Sequence, residues 1–285
     1  MKLFKEDSRD RITREIEVLQ LLRSGPNMIE IVDVVQGEEG ANIGIVLEYV
    51  DNTDFRTLYP RFTGFDIRYY TREVLKGLEF AHGQGIMHRD IRPQNVVIDH
   101  QQRKVTIPSQ QVHCASLTKR RQLRLIGWSS AEFYEPGREY DCCVGLFKPP
   151  EILLDYEKYD YSVDMWCLGS MLASMIFRKE PFFYGITLTD QLIKIAKVLG
   201  SDKIYEFVEQ YGITMFPEDR EALGHWDGEP WENFKNEGNQ HLATTEAISF
   251  VHRLLRVDPA ERPTASEALF HFYYQDLNRE RQDAE

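Results

Sequence analysis

Apolar residues recur at helical spacing over residues 9 to 23, where Ile12, Ile16, Leu19 and Leu22 are separated by charged side chains and Ser24-Gly25-Pro26-Asn27 supplies a stop. The pattern predicts one amphipathic helix. Residues 29 to 35 and 43 to 50 are β-branched runs parted by Gly37-Glu38-Glu39-Gly40, which predicts two antiparallel strands. Helical patterns dominate beyond this point. The longest runs from 65 to 84 through Ile67, Tyr70, Val74, Leu75, Leu78 and Phe80, and others cover 162–177, 188–199, 202–211, 244–256 and 264–270. The polar stretch Asp51-Asn52-Thr53-Asp54 reads as a hinge. It divides a small α+β unit, residues 1–50, from a larger and mostly helical unit, residues 51–277, with 278–285 as a solvated tail.

Composition narrows the class. The chain of 285 residues is 42% hydrophobic and 28% charged, as expected of a soluble globular protein with an extensive core. No stretch is long and apolar enough to predict a membrane span, and the opening residues lack the apolar core of a signal peptide, so the expectation is a cytoplasmic or nuclear protein. Cys114, Cys142, Cys143 and Cys167 contain no C-x-x-C pair and are expected to be reduced thiols without metal. A net charge of −12 argues against a nucleic-acid partner, and Lys119-Arg120-Arg121 is a short basic run against that background.

Chemistry concentrates in one loop. His88-Arg89-Asp90-Ile91-Arg92-Pro93-Gln94-Asn95 precedes the strand-like Val96-Val97-Ile98. A carboxylate and an amide oxygen fixed on one short loop suit phosphoryl transfer: the first orients a hydroxyl and accepts its proton, and the second can hold magnesium. An Arg-Asp pair on a loop is usually structural, so the signal lies in the whole H-R-D-x-x-x-x-N pattern. Downstream come Pro149-Pro150-Glu151, then Asp164-x-Trp166-x-x-Gly169, then Arg262 in Asp258-Pro259-Ala260-Glu261-Arg262-Pro263-Thr264. These motifs resemble those of the eukaryotic protein kinases. Asn52-Thr53-Asp54-Phe55, Ala131-Glu132-Phe133-Tyr134, Lys179-Glu180-Pro181-Phe182-Phe183-Tyr184-Gly185 and Asn239-Gln240-His241-Leu242 make the resemblance closer, to the catalytic α-subunit family of casein kinase II. It extends over nearly all of residues 1 to 277.

The resemblance implies a two-lobed α+β kinase fold with a small β-rich lobe and a mostly helical large lobe. It also implies serine/threonine protein kinase activity on protein substrates, with ATP or GTP and magnesium as cofactors, and a regulatory β subunit as partner. Residue by residue, it makes Asp90 the catalytic base, Arg92 a cation near the transferred phosphate and Asn95 a metal ligand. Lys2 becomes the strand lysine that holds nucleotide phosphates, and Glu15 its helix partner. By residue type alone both would be surface charges. Glu48 and Val50 fall where the adenine would meet the hinge, and Val97 and Ile126 become either apolar walls of that site or plain core.

Four departures from the family pattern stand out. The match begins at the strand lysine, without the glycine-rich cover of the phosphates, so the small lobe is expected to fray. Gly127 in Ile126-Gly127-Trp128 takes the place of the magnesium-binding aspartate. Residues 105 to 122 read as an insertion between two strands, for which a retained intron is one account. The groups that read acidic substrates are depleted: Glu6, Asp7 and Asp10 interleave with the bases near the first helix, Cys143 replaces an arginine, and Val144-Gly145-Leu146-Phe147 is too short to hold a second, which leaves Lys148. Three functions follow as alternatives: an active kinase, a pseudokinase scaffold that binds partners through the large lobe, or an aberrantly spliced product. The departures favour a chain of kinase ancestry with little phosphotransferase activity.

Overall fold

The computed structural model describes residues 2–3, 9–36, 43–100, 122–142, 145–275 and 277. Strands β1 (Lys2–Leu3), β2 (Ile31–Gln36) and β3 (Ile43–Leu47) form an antiparallel sheet in the order β1-β3-β2. Helix α1 (Arg9–Leu21) turns Ile12, Val18 and Leu19 into the core, as its spacing predicts. Pairing in β3 ends at Leu47 rather than at residue 50, so Glu48 to Val50 lie outside the strand. Strand β1 does not hang free, because it pairs with β3 through Lys2 opposite Ile45 and Leu3 opposite Gly44.

The helical part begins with α2 (Phe55–Leu58) and α3 (Gly64–Gly83). Helix α3 starts at a reciprocal cap: Thr63 Oγ1 accepts from the Asp66 N–H at 3.2 Å, and Asp66 Oδ2 accepts from the Thr63 N–H at 3.0 Å. Two short antiparallel ribbons follow. Strands β4 (Ile86–Met87) and β7 (Glu132–Phe133) make one, and β5 (Val96–Asp99) and β6 (Gln122–Leu125) make the other, with Val96 opposite Leu125 and Asp99 opposite Gln122. Gln122, expected to belong to the insertion, is the first residue of β6. Residues 105 to 121, the basic run among them, lie outside the described residues.

Helices α4 (Pro150–Leu153), α5 (Ser162–Phe177), α6 (Leu188–Leu199), α7 (Ser201–Gln210), α8 (Pro217–Leu223), α9 (Thr245–Leu254) and α10 (Ala265–Leu269) complete the chain. Every residue of α5 after Ser162 is buried, which explains why its sequence is apolar on all sides. It packs against α3 and α9 and forms the axis of the large core. Cys142 and Cys167 are free thiols, while Cys114 and Cys143 lie outside the described residues. Among the described residues no helix is long and apolar enough to cross a membrane.

Hydrogen bonds at several places join the small unit to the rest, two of them on the β5–β6 ribbon. Leu125 N–H donates to Asn27 O at 2.8 Å, and the Asn27 amide donates to the Glu73 carbonyl and carboxylate, each at 2.8 Å. At the expected hinge, Ile98 N–H donates to Asn52 Oδ1 at 2.9 Å and Thr53 N–H to Ile98 O at 3.2 Å.

Candidate active site

The loop from His88 to Asn95 is set from beneath by one buried carboxylate. Asp164, on α5, accepts the main-chain N–H groups of His88 at 2.8 Å and Arg89 at 2.7 Å, and His82 Nε2 lies 2.9 Å from the same group. Burial alone would raise the pKa of Asp164. Its hydrogen bond and charge interaction with His82, with help from His88, outweigh burial and lower it, so the anion is kept. Arg89 has φ of 62°, a left-handed conformation that costs about 1–3 kcal/mol and must be held by its surroundings. Besides Asp164 on its amide, Arg89 Nε donates to Ser130 O at 2.6 Å and Nη1 to the Tyr159 hydroxyl at 2.9 Å.

His88 is wholly buried against Trp128. Its Nδ1 accepts from the Asp90 N–H at 3.2 Å, which leaves Nε2–H to donate to Ile126 O at 3.0 Å. That is the neutral tautomer, in agreement with a pKa lowered first of all by burial. His88 therefore ties Asp90 to the segment that carries Gly127.

Asp90 itself is enclosed. Its side chain is 14% exposed; Oδ2 accepts from Asn95 Nδ2 at 2.7 Å, and the same amide nitrogen donates to Asp90 O at 2.8 Å. Arg92 Nε stands 3.2 Å from Oδ2 without the donor angle of a hydrogen bond, so this contact is ionic. Burial raises the pKa of Asp90 more than Arg92, His88 and Asn95 lower it, the direction that suits a general base. The structure thus brings together three residues singled out in the sequence: Asp90, Arg92 and Asn95.

Gly127 adopts φ of 81° and caps the short turn Trp128–Ser130. A Cβ built there would lie 2.5 Å from both Cγ and Oδ1 of Asn95 and 2.7 Å from its Nδ2. The space beside Asn95 that a side chain at 127 would need is already filled by the Asn95 amide. Magnesium sites in phosphoryl-transfer proteins rely on one or two carboxylates in near-octahedral geometry. Here the pattern offers a single neutral amide oxygen, and the nitrogen of that amide is committed to Asp90. Among the described residues no group of three or more His, Cys, Asp or Glu side chains converges to hold a metal. The residues present do not fit the expected magnesium centre.

The remaining candidates are placed as follows. Glu15 is buried, 3% exposed, on α1. Lys2 lies on β1, and only its main chain is described. Glu48 Oε1 accepts from Arg124 Nε at 2.7 Å and from the Glu30 N–H at 3.0 Å, so its carboxylate ties the junction to β6 and to the residue before β2. Val50, Val97 and Ile126 are half-buried, and Val50 and Ile126 pack on the main core.

Three further interactions shape the surroundings of the loop, and two of them have no signature in the motifs. Arg14 on α1 reaches Glu132 on β7 at 2.5 Å, and α1 packs on the turn that follows Gly127. Glu151 and Arg262 form a fully buried bidentate pair at 2.5 and 2.7 Å, with the guanidinium 5.0 Å from the Trp166 ring centre. Both residues belong to motifs that carry the kinase resemblance, and the stacking on Trp166 is a contact those motifs do not encode. The third is at Gly145, where a Cβ would fall 2.0 Å from Asp90 Oδ1; the shortness of the surrounding segment was the available signal. Compared with known families, residues 1–274 match the family described as protein kinase domain.

Proposed function

Because the chain belongs to the protein kinase family, we propose that it is a serine/threonine protein kinase of the casein kinase II α type whose own phosphoryl transfer is impaired. Protein kinases transfer phosphate from ATP with magnesium to protein substrates. The observation that carries the impairment is the contact between Gly127 and Asn95, which puts an amide where a metal-binding carboxylate would stand. Metal stabilisation of the transferring phosphoryl group is worth several kcal/mol, which corresponds to several powers of ten in rate.

Asp90, positioned by Asp164 and His88, serves in this reading as the acceptor of the hydroxyl proton, with Arg92 as the adjacent cation. Asn95 acts chiefly on Asp90. Lys2, Glu15, Glu48, Val50, Val97 and Ile126 form the nucleotide side, and the lobes meet near residue 50. The proposal includes a preference for serine or threonine, use of ATP or GTP, and a regulatory β subunit on the small lobe.

The test is incubation of the purified chain with magnesium-ATP and an acidic serine peptide, with phosphopeptide followed by mass spectrometry. Little or no product is expected. Turnover in the ordinary kinase range, about 1–100 per second, overturns the impairment. Co-elution with a casein kinase II β subunit on gel filtration tests the partnership, and separate elution removes it.

A further inference from the structure

A cavity of about 250 Å³ opens where the corner between α6 and α7 meets the end of α9, and no residue of the Asp90 loop lines it. Its floor is apolar: Trp231, Leu255 and Val257 are buried, and Val198 and Leu199 stand beside them half-buried. Backbone contacts hold the wall in place. Glu229 N–H donates to Val198 O and Ser201 N–H to Trp226 O, each at 2.9 Å. Gly228, with φ of 90°, lets the chain pass so near that a Cβ there would lie 3.0 Å from the Gly200 nitrogen.

The rim is basic, in a chain whose net charge is −12. Lys203 comes from α7, His252 from α9 and Arg256 from the turn after α9. Arg256 directs Nε and Nη2 to Glu261 Oε2, at 2.7 and 2.6 Å. Its Nη1 faces His252 Nε2 at 3.4 Å; a guanidinium only donates, so Nε2 accepts and the imidazole is neutral. Burial first, then Arg256, Lys203 and Arg253, lower the pKa of His252, and Glu261 opposes them. The two acids of the lining are engaged elsewhere: Asp227 Oδ1 lies 3.4 Å from His225 Nε2, and Glu229 Oε1 accepts from the Asn233 amide.

We infer that this cavity binds a small carboxylate with an apolar body, the body on Trp231 and Leu255 and the charge among Lys203, His252 and Arg256 Nη1. Glu261 already balances Arg256, so Lys203 carries the charge left to match, and a singly charged head suits it. Room is sufficient, since a cavity of about 150 Å³ admits benzene and this one is large enough for a ring with a short acidic arm. An anion at the rim offsets the cations that hold the imidazole neutral. Binding therefore raises the His252 pKa, and affinity grows as the pH falls through that raised value. The site is separate from Asp90 and does not depend on phosphoryl transfer.

The test is isothermal titration calorimetry of the full chain with 3-phenylpropionate, and with 3-phenylpropanamide as the uncharged probe. The carboxylate is expected to bind at least about tenfold more tightly than the amide, and about fivefold more tightly at about pH 6 than at about pH 8. Lys203→Glu, at an exposed position, should weaken carboxylate binding at least about tenfold and leave amide binding and urea unfolding unchanged. His252→Gln should flatten the pH dependence. Equal binding of acid and amide overturns the inference, as does the lack of any binding heat with the carboxylate up to about 10 mM. So does full affinity in Lys203→Glu, or a pH dependence that survives in His252→Gln. Each readout is binding alone, so its failure leaves the proposed function standing.

Discussion

Adding a single methyl group at Gly127 perturbs two things at once. The left-handed backbone costs an L-residue about 1–2 kcal/mol wherever it occurs. The methyl would also stand 2.5 Å from Asn95 Cγ and Oδ1, so the amide must move, and it is buried. Moving it gives up the bond to Asp90 O, about 1 kcal/mol, and the charge-assisted bond to Oδ2, about 2 kcal/mol. Partial relaxation recovers some of this, so Gly127→Ala is expected to lower the unfolding free energy by about 2–4 kcal/mol. Urea unfolding followed by circular dichroism gives the value. The decisive comparison is the same substitution in an Asn95→Ala background, where the collision is gone and only the backbone cost of about 1–2 kcal/mol should remain. An equal loss in both backgrounds, or a loss below about 0.5 kcal/mol in the first, would mean that the Asn95 amide does not resist a side chain at 127. A corollary is that Gly127→Asp should not restore phosphoryl transfer, because the new carboxylate displaces Asn95 rather than joining it.

Other expectations follow from the same geometry. Replacing Arg262 with Met leaves the Glu151 carboxyl buried without its partner, and urea unfolding should register a loss of about 3–5 kcal/mol. Asp164→Asn weakens the grip on His88 and Arg89; faster hydrogen exchange at those two amides, with a stability loss of about 2 kcal/mol, is the expected result. Retained protection at both amides would contradict it. Burial, and then Arg253, lower the pKa of His271 from 6.5 to about 4. The unfolded chain then binds the proton first, so this contribution is full above pH 6.5 and is lost as the pH falls from there toward 4. Stability curves against pH should be flatter over that interval in His271→Phe than in the unaltered chain.

Periodicity located the elements that bury a continuous face. Residues 162–177 and 188–199 are the observed limits of α5 and α6, and strands β2 and β3 overlap the two β-branched runs. Helix α8 was not legible because of its seven residues only Leu223 is buried, although Pro217 at its start and Gly224 after its end mark the limits. The same contrast holds at the site. Asp90, Arg92 and Asn95 could be read together because one loop carries them. Arg14 with Glu132, Arg89 with Ser130 and Tyr159, and Gly145 with Asp90 are contacts between distant segments, and no local pattern encodes which segments will meet. The substitution at Gly127 was visible as a missing acid. Its effect on Asn95 needed the volume around it.

The fastening of the small sheet also has a mechanical consequence. Asn27 holds Leu125 on β6, and Asn52 and Thr53 hold Ile98 on β5, so both attachments fall on the β5–β6 ribbon. A ribbon gripped at two places acts as a bearing. Rotation of β2 and β3 about the line between the grips stretches neither, whereas pulling the sheet straight away from α3 strains both. Gly127, two residues beyond β6, stays with the ribbon during such a rotation. Strand β1, at one edge of the sheet, is carried with it. Any tilting of the small sheet would therefore change the distance from Lys2 to Asp90 while leaving the contact between Gly127 and Asn95 almost as it stands.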